Sequence, residues 1–198
     1  DAVTLSEQRE TRGASLSARV AEVSSLVNPS IDAWVVWCEL NKESEALAKA
    51  IPDAVEVQGS DSSERKEKAL NDFAEGRIRA LVTKPSIAGW GMNWQHCHNV
   101  AFAGVSHSFE QTYQAVRRCW RFGQRHAVEC HTIYCETENA IVKNLERKAR
   151  EADRLAEGML RHMHAFQQKE VRGAVRESNE YLPDVQIRIP SWLTSEAA

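Results

Sequence analysis

Short apolar runs alternate with amphipathic stretches along most of this chain. Leu16, Val20, Val23 and Val27 recur at helical spacing, and Asn28-Pro29 ends the pattern. Ala33-Trp-Val-Val-Trp-Cys38 follows; it is too short for a helix and reads as a strand buried on both faces. Asn41 is placed to cap a helix through Ile51, stopped by Pro52. Val55-Glu-Val57 reads as a short strand. Asp61 and Glu64 form a capping-box-like pair for a helix through Phe73 and Ala74, closed by Gly76. Residues 79–83, 100–103 and 129–134 read as further strands, and a loop over 84–93 carries Gly89 and Gly91. The alternation predicts an α/β domain, a parallel sheet with helices on both faces. Ligands of such sheets sit beyond the carboxyl ends of the strands. Thr83, the 84–93 loop and the loop preceding residue 109 are expected at that edge.

The most informative stretch is Gln111 to Arg125. It carries four arginines (Arg117, Arg118, Arg121, Arg125) and no acid, in a chain of formal net charge -3. Ser108 and Gln111 have capping-box spacing, so a helix is predicted from Phe109, with Glu110 in its first turn and Gly123 as its stop. On that helix Tyr113, Val116 and Trp120 form an apolar stripe, expected to be buried. Gln114, Arg117, Arg118 and Arg121 form the neighbouring stripe. Guanidinium groups stay charged and present a planar fork that matches phosphate oxygens. Periodicity alone leaves a solvated basic helix face as an equal alternative.

Composition narrows the class. With 198 residues, 42% hydrophobic, the chain can bury a substantial core. The mildly acidic balance means that any anion site is local. The five cysteines are odd in number and lack disulfide-framework spacing, so a reducing cytoplasm is the expected location. No apolar run is long enough for a membrane span and no signal peptide is present. The start at Asp1 suggests a piece of a longer protein. His96-Cys97-His98 and Cys130-His131 with Cys135 lack paired metal-ligand spacing, and Cys130 is expected in a buried strand, so no metal site is assigned.

Gln114-Ala-Val-Arg-Arg118-Cys-Trp-Arg121-Phe-Gly123-Gln124 resembles motif VI of superfamily 2 helicases, closest to the Swi/Snf-type DNA translocases, whose pattern is Gln-Ala-x-x-Arg-x-x-Arg-x-Gly-Gln. Residues 34–40 resemble motif IV. Gln58-Gly59, Arg65 and Phe73 resemble the segment that precedes motif V, and Leu81-Val-Thr-Lys84 with Ala88-Gly-Trp-Gly-Met-Asn93 resembles motif V itself. Trp90, Met92 and Trp94 depart from the usual smaller or aliphatic residues. Ser106-His107-Ser108 stands where many relatives have Trp-Asn-Pro, as in a divergent, phage-like branch. The resemblance covers residues 15–136. It implies a RecA-like lobe in which Arg121, with Arg118, reaches the ATP phosphates as an arginine finger. Gln114, Gly89 and Gly91 would lie against the nucleotide, and Thr83 and Lys84 would contact DNA phosphates.

No G-x-x-x-x-G-K-[ST] stretch and no Asp-Glu-x-x motif occurs in the sequence, so it carries the finger without the cradle for phosphate and magnesium. The expected partner is therefore an amino-terminal RecA-like lobe of the same polypeptide, holding most of the ATP and Mg. Double-stranded DNA bound without sequence specificity is the second expected partner. A non-catalytic nucleic-acid or protein-binding adaptor on the same fold is the alternative. Residues 1–14 read as a flexible lead-in. Residues 137–170 read as a long amphipathic helix, with packing on its own domain favoured over a role as brace or partner-binding helix. Residues 171–198 read as a tail whose segment 185–193 fits either a docked strand or disorder.

Overall fold

The computed structural model describes residues 13–88, 92–104, 106 and 108–171. The lead-in before Gly13, Gly89, Trp90, Gly91, Val105, His107 and the tail beyond Val171 lie outside the described residues. The chain divides into two units, one reaching to Ala152 and the other beginning at Asp153.

In the first unit, helix α1 (Leu16–Val27) leads to strand β1 (Trp34–Cys38), α2 (Asn41–Ala50), β2 (Ala54–Glu56), α3 (Ser63–Ala74), β3 (Ala80–Thr83), the single turn α4 (Pro85–Ala88), β4 (Asn99–Ala103), α5 (Phe109–Val116) and β5 (Glu129–Ile133). All five strands are parallel, in the order β2-β3-β1-β4-β5. This is the α/β architecture expected from the alternating pattern. Strands β1, β3 and β4 are buried at every position, which explains their unbroken apolar runs. Successive residues of β1 serve opposite faces. Trp34, Val36 and Cys38 pack with Val20 and Val23 of α1, Leu47 of α2 and Ile51 just beyond it. Val35 and Trp37 pack with Phe73, Trp94, Ala115 and Cys119 on the other side.

Several local expectations need correction. The α2 cap is not Asn41, which is the first helical residue; Leu40 precedes it without a side-chain cap. Ser62, not Asp61, caps α3 by accepting from Arg65 N–H, while Asp61 accepts from Gln58 N–H at 2.8 Å. Cys130 is exposed, because β5 is an edge strand flanked only by β4. A one-turn 3₁₀ segment (Glu136–Glu138) joins β5 to helix α6 (Asn139–Val171). In the first unit Ile141 of α6 is buried, and Val142, Leu145 and Ala149 line a groove with Phe102 and Phe109. In the second unit Leu155, Met159 and Met163 are all more than half exposed.

Candidate functional site

Helix α5 starts where the sequence predicts and stops early. Ser108 Oγ accepts from Gln111 N–H at 3.3 Å, but the Ser108 N–H goes to Ser106 Oγ rather than to Gln111, so only half of the capping box forms. The helix ends at Val116, seven residues before Gly123. Beyond it, Arg118 N–H donates to Ala115 O and Cys119 N–H to Val116 O, bonds spanning three residues instead of four. That tighter winding at Arg118 and Cys119 breaks the regular helical phase, although Trp120 N–H still reaches Val116 O at 2.9 Å. Cys119 takes the inward position, fully buried, and Trp120 is 54% exposed, so its predicted burial does not hold. Tyr113 is exposed as well. The Arg117 guanidinium lies 5.0 Å from the Trp120 ring centroid, a cation–π contact on the surface.

The same winding aims two arginines at one point. Arg118 Nη1 and Arg121 Nη1 donate to the single carbonyl oxygen of Met92, at 3.4 and 3.1 Å. Arg118 is only 8% exposed, and its Nε has no hydrogen-bond partner. Burial, and after it the charge of Arg121, lower the Arg118 pKa. No carboxylate pairs with either arginine among the described residues. Two neighbouring guanidiniums held by one neutral acceptor form an electrostatically incomplete site, complementary to an anion.

Trp94 builds the base of this site. Its ring is fully buried against Phe73 (centroids 5.2 Å apart, edge-on) and Trp37 (5.8 Å). Its main-chain N–H donates to Arg118 O at 2.9 Å. The 92–94 segment therefore holds the arginine turn by main chain and side chain together. Reading Trp94 as a departure from motif V missed this anchoring role. The signal was a tryptophan two residues from Met92, ahead of the buried Cys97.

A model of the family described as "Helicase conserved C-terminal domain" matches residues 20–123, which include both arginines and the 92–94 segment. The chain belongs to the helicase C-terminal domain family. Its fold is that of RecA-like helicase C-terminal lobes. Similar solved structures include the C-terminal part of the Fun30 ATPase domain, with a TM-score of 0.57 at 18% identity over 63% of this chain and 44% of that one. The C-terminal domain of the DEAD-box protein Dbp5 gives a TM-score of 0.57 at 14% identity, over 67% and 78%. A variant of S. cerevisiae Dbp5 bound to RNA and ADP BeF3 gives 0.58 at 15% identity, over 67% and 36%. Among curated proteins, the bifunctional helicase and thymine dioxygenase JBP2 of Leishmania braziliensis is 29% identical over 87 residues, and that of Leishmania major is equally so. The match covers 43% of this chain and 8% of those relatives.

The other expected site residues of this helicase C-terminal domain are dispersed. Gln114 is exposed on α5. Gly89 and Gly91 lie outside the described residues. Thr83 reaches the carboxyl edge of the sheet but not its surface. It is fully buried, and its hydroxyl donates to Val57 O at 3.0 Å, tying β3 to the chain after β2 instead of facing outward. Lys84 is half-buried at the same edge, its ammonium 2.6 Å from Asn41 Oδ1. Among the described residues no group of three or more His, Cys, Asp or Glu is disposed to hold a metal ion. No described helix is long and apolar enough to cross a membrane.

Proposed function

We propose that this helicase C-terminal domain is one half of an ATP-driven DNA translocase. It supplies Arg121 and Arg118 to a nucleotide whose phosphates and Mg are held mainly by an amino-terminal RecA-like lobe of the same polypeptide. The observation that carries the reading is the buried Arg118, without a counter-ion, sharing the Met92 carbonyl with Arg121. Phosphate oxygens entering across a cleft would occupy the free faces of both guanidiniums. Charge developing on the γ-phosphate during transfer would then meet fixed, desolvated donors. Arg121, the more exposed of the two, is the finger; Arg118, locked beneath it, sets the local field. Mg would neutralise phosphate charge from the other lobe, since no cluster of His, Cys, Asp or Glu gathers here among the described residues.

Lys84, beside Asn41 at the carboxyl edge of the sheet, is the residue proposed to touch a DNA phosphate. Such contacts position the duplex without reading sequence. Gln114, exposed on α5, and the two glycines of the 89–91 segment remain proposed nucleotide neighbours. Opening and closing of the cleft would step the protein along the backbone. That Dbp5 was solved with RNA and ADP BeF3 favours a nucleotide- and nucleic-acid-binding role for this fold. Cytoplasmic residence is the proposed location.

The test uses the purified chain beside the intact two-lobe protein. The chain alone is expected to show no ATPase above background, because it lacks the phosphate cradle. Its DNA binding is expected to be weak, indifferent to sequence and steeply salt-dependent. DNA-stimulated hydrolysis by the chain alone would refute the half-site reading, and tight, salt-insensitive binding to one sequence would refute the phosphate-only contact.

A further inference from the structure

The finger turn is closed by a side chain to which nothing above assigns a role. Gln124 Nε2 donates to Cys119 O at 3.2 Å and to Cys97 O at 3.0 Å. Its Oε1 accepts from the N–H groups of Arg125 at 2.9 Å and His126 at 3.0 Å. The amide is thus satisfied at both ends, with two carbonyls on one side and two N–H groups on the other. Only one orientation of the amide fits that arrangement.

The main chain of the same residue completes the closure. Gln124 N–H donates to Arg121 O at 3.1 Å, and Arg121 N–H donates to Cys119 O at 3.1 Å, the oxygen that also receives the Gln124 amide. Arg121 is therefore held on both sides of its own Cα by groups that meet at Gln124. The bond to Cys97 O carries this closure into the 92–97 segment, whose Met92 O receives the Arg121 guanidinium. Gly123 makes the path possible. Its φ is +94°, and a Cβ there would stand 2.3 Å from Gln95 Oε1.

We infer that Gln124 is a positioning residue for the phosphate contact. It fixes the main chain of Arg121 by closing the turn 119–124 and pinning it to the segment before β4. The inference rests on the finger assignment of Arg121. An arginine at the end of an exposed turn would otherwise sample many placements, and a misplacement of about 1 Å costs about 10²-fold in rate. Gln124 touches no nucleotide in this account; it acts through Arg121.

The test is a double-mutant cycle on the ATPase of the intact two-lobe protein, read under single-turnover conditions. Gln124→Ala is expected to lower the rate about 10- to 100-fold with the KM for ATP within about threefold. In an Arg121→Ala background, adding Gln124→Ala is expected to change the rate less than about twofold, because the residue it acts through is gone. A merely structural role would give the full, multiplicative loss in both backgrounds, and that result overturns the inference. Gln124→Glu keeps the size and the one acceptor that serves Arg125 and His126 but sets an acceptor against Cys97 O and Cys119 O. The same cycle is read with it if the melt of the alanine variant shows unfolding. Were Arg121→Ala itself as active as wild type, the finger assignment would fall, and this inference with it. Were Arg121→Ala inactive while both Gln124 variants kept wild-type rates, only this inference would fall.

Discussion

Two buried arginines in the first unit behave in opposite ways. Arg19, on α1, is 2% exposed and lies against Glu43, which has no exposure at all. Its Nε and Nη2 donate to Glu43 Oε1 at 3.1 and 2.8 Å, and its Nη1 reaches Ser15 Oγ and Cys135 Sγ. Glu43 Oε2 in turn accepts from Glu39 N–H. Burial pulls the Arg19 pKa down, but the hydrogen bond and charge of Glu43, joined by the Cys135 hydrogen bond and the Glu138 charge, more than offset it, and the net shift is upward. Arg118 is nearly as buried, has no carboxylate partner among the described residues, leaves its Nε unpaired and is shifted downward. A buried charge is tolerated when it is paired and hydrogen-bonded. The first arginine meets that condition inside its own lobe. The second does not meet it among the described residues, which is why an incoming phosphate is proposed as its partner.

Stability measurements on the chain can break this contrast. Arg19→Met leaves Glu43 buried without its partner and is expected to cost about 3–5 kcal/mol. Arg19→Met combined with Glu43→Leu is expected to recover most of that loss, since an apolar pair of similar volume replaces an ion pair at little net cost. Denaturant titration of the three variants checks both statements, and equal losses for the single and double variants would show that packing rather than charge dominates there. Trp94→Ala is expected to cost about 3–5 kcal/mol, because its ring is part of the core under the arginine turn. Arg118→Met should change stability by less than about 1 kcal/mol, because it removes a charge and a donor that the lobe does not satisfy. If Arg118→Met proved as costly as Arg19→Met, Arg118 would be a structural residue. The smallest effect belongs to Trp120→Ala, also below about 1 kcal/mol, because more than half of that side chain is already in solvent. A loss of several kcal/mol at Trp120 would mean that the turn is wound as a continuous helix.

The sheet was legible because parallel strands covered on both faces must be apolar at every position, and Trp34–Cys38 shows this in five letters. The identity of the arginine turn was legible from the order of its residues. Its geometry was not. Helical periodicity placed Trp120 inside, whereas the regular four-residue hydrogen bonds break at Arg118 and Cys119, which bond three residues back, and Cys119 is the buried residue. Periodicity assumes a uniform helix and cannot register that change. Asn41 and Asp61 are sound capping residues by type, yet Leu40 and Ser62 precede the helices they were assigned to cap, because the exact boundary depends on the chain's exit from the sheet. Arg19 had a readable signal that was passed over: it shares a helix face with Leu16 and Val23, where a charge needs a buried partner. Gln124 had none beyond its place in the motif, since its four hydrogen bonds all go to main-chain groups distant from any side-chain pattern.

The most direct measurement is the steady-state ATPase of the intact two-lobe protein carrying Arg121→Ala, with nucleotide affinity measured alongside. The account predicts that kcat falls by about 10³-fold or more, the scale of arginine-finger removal. ATP affinity should change far less, because the guanidinium acts on charge that develops during transfer. Arg121→Lys should not restore the rate, since an ammonium lacks the planar fork. Near wild-type turnover in Arg121→Ala would contradict the account and return the arginine turn to a solvated basic surface.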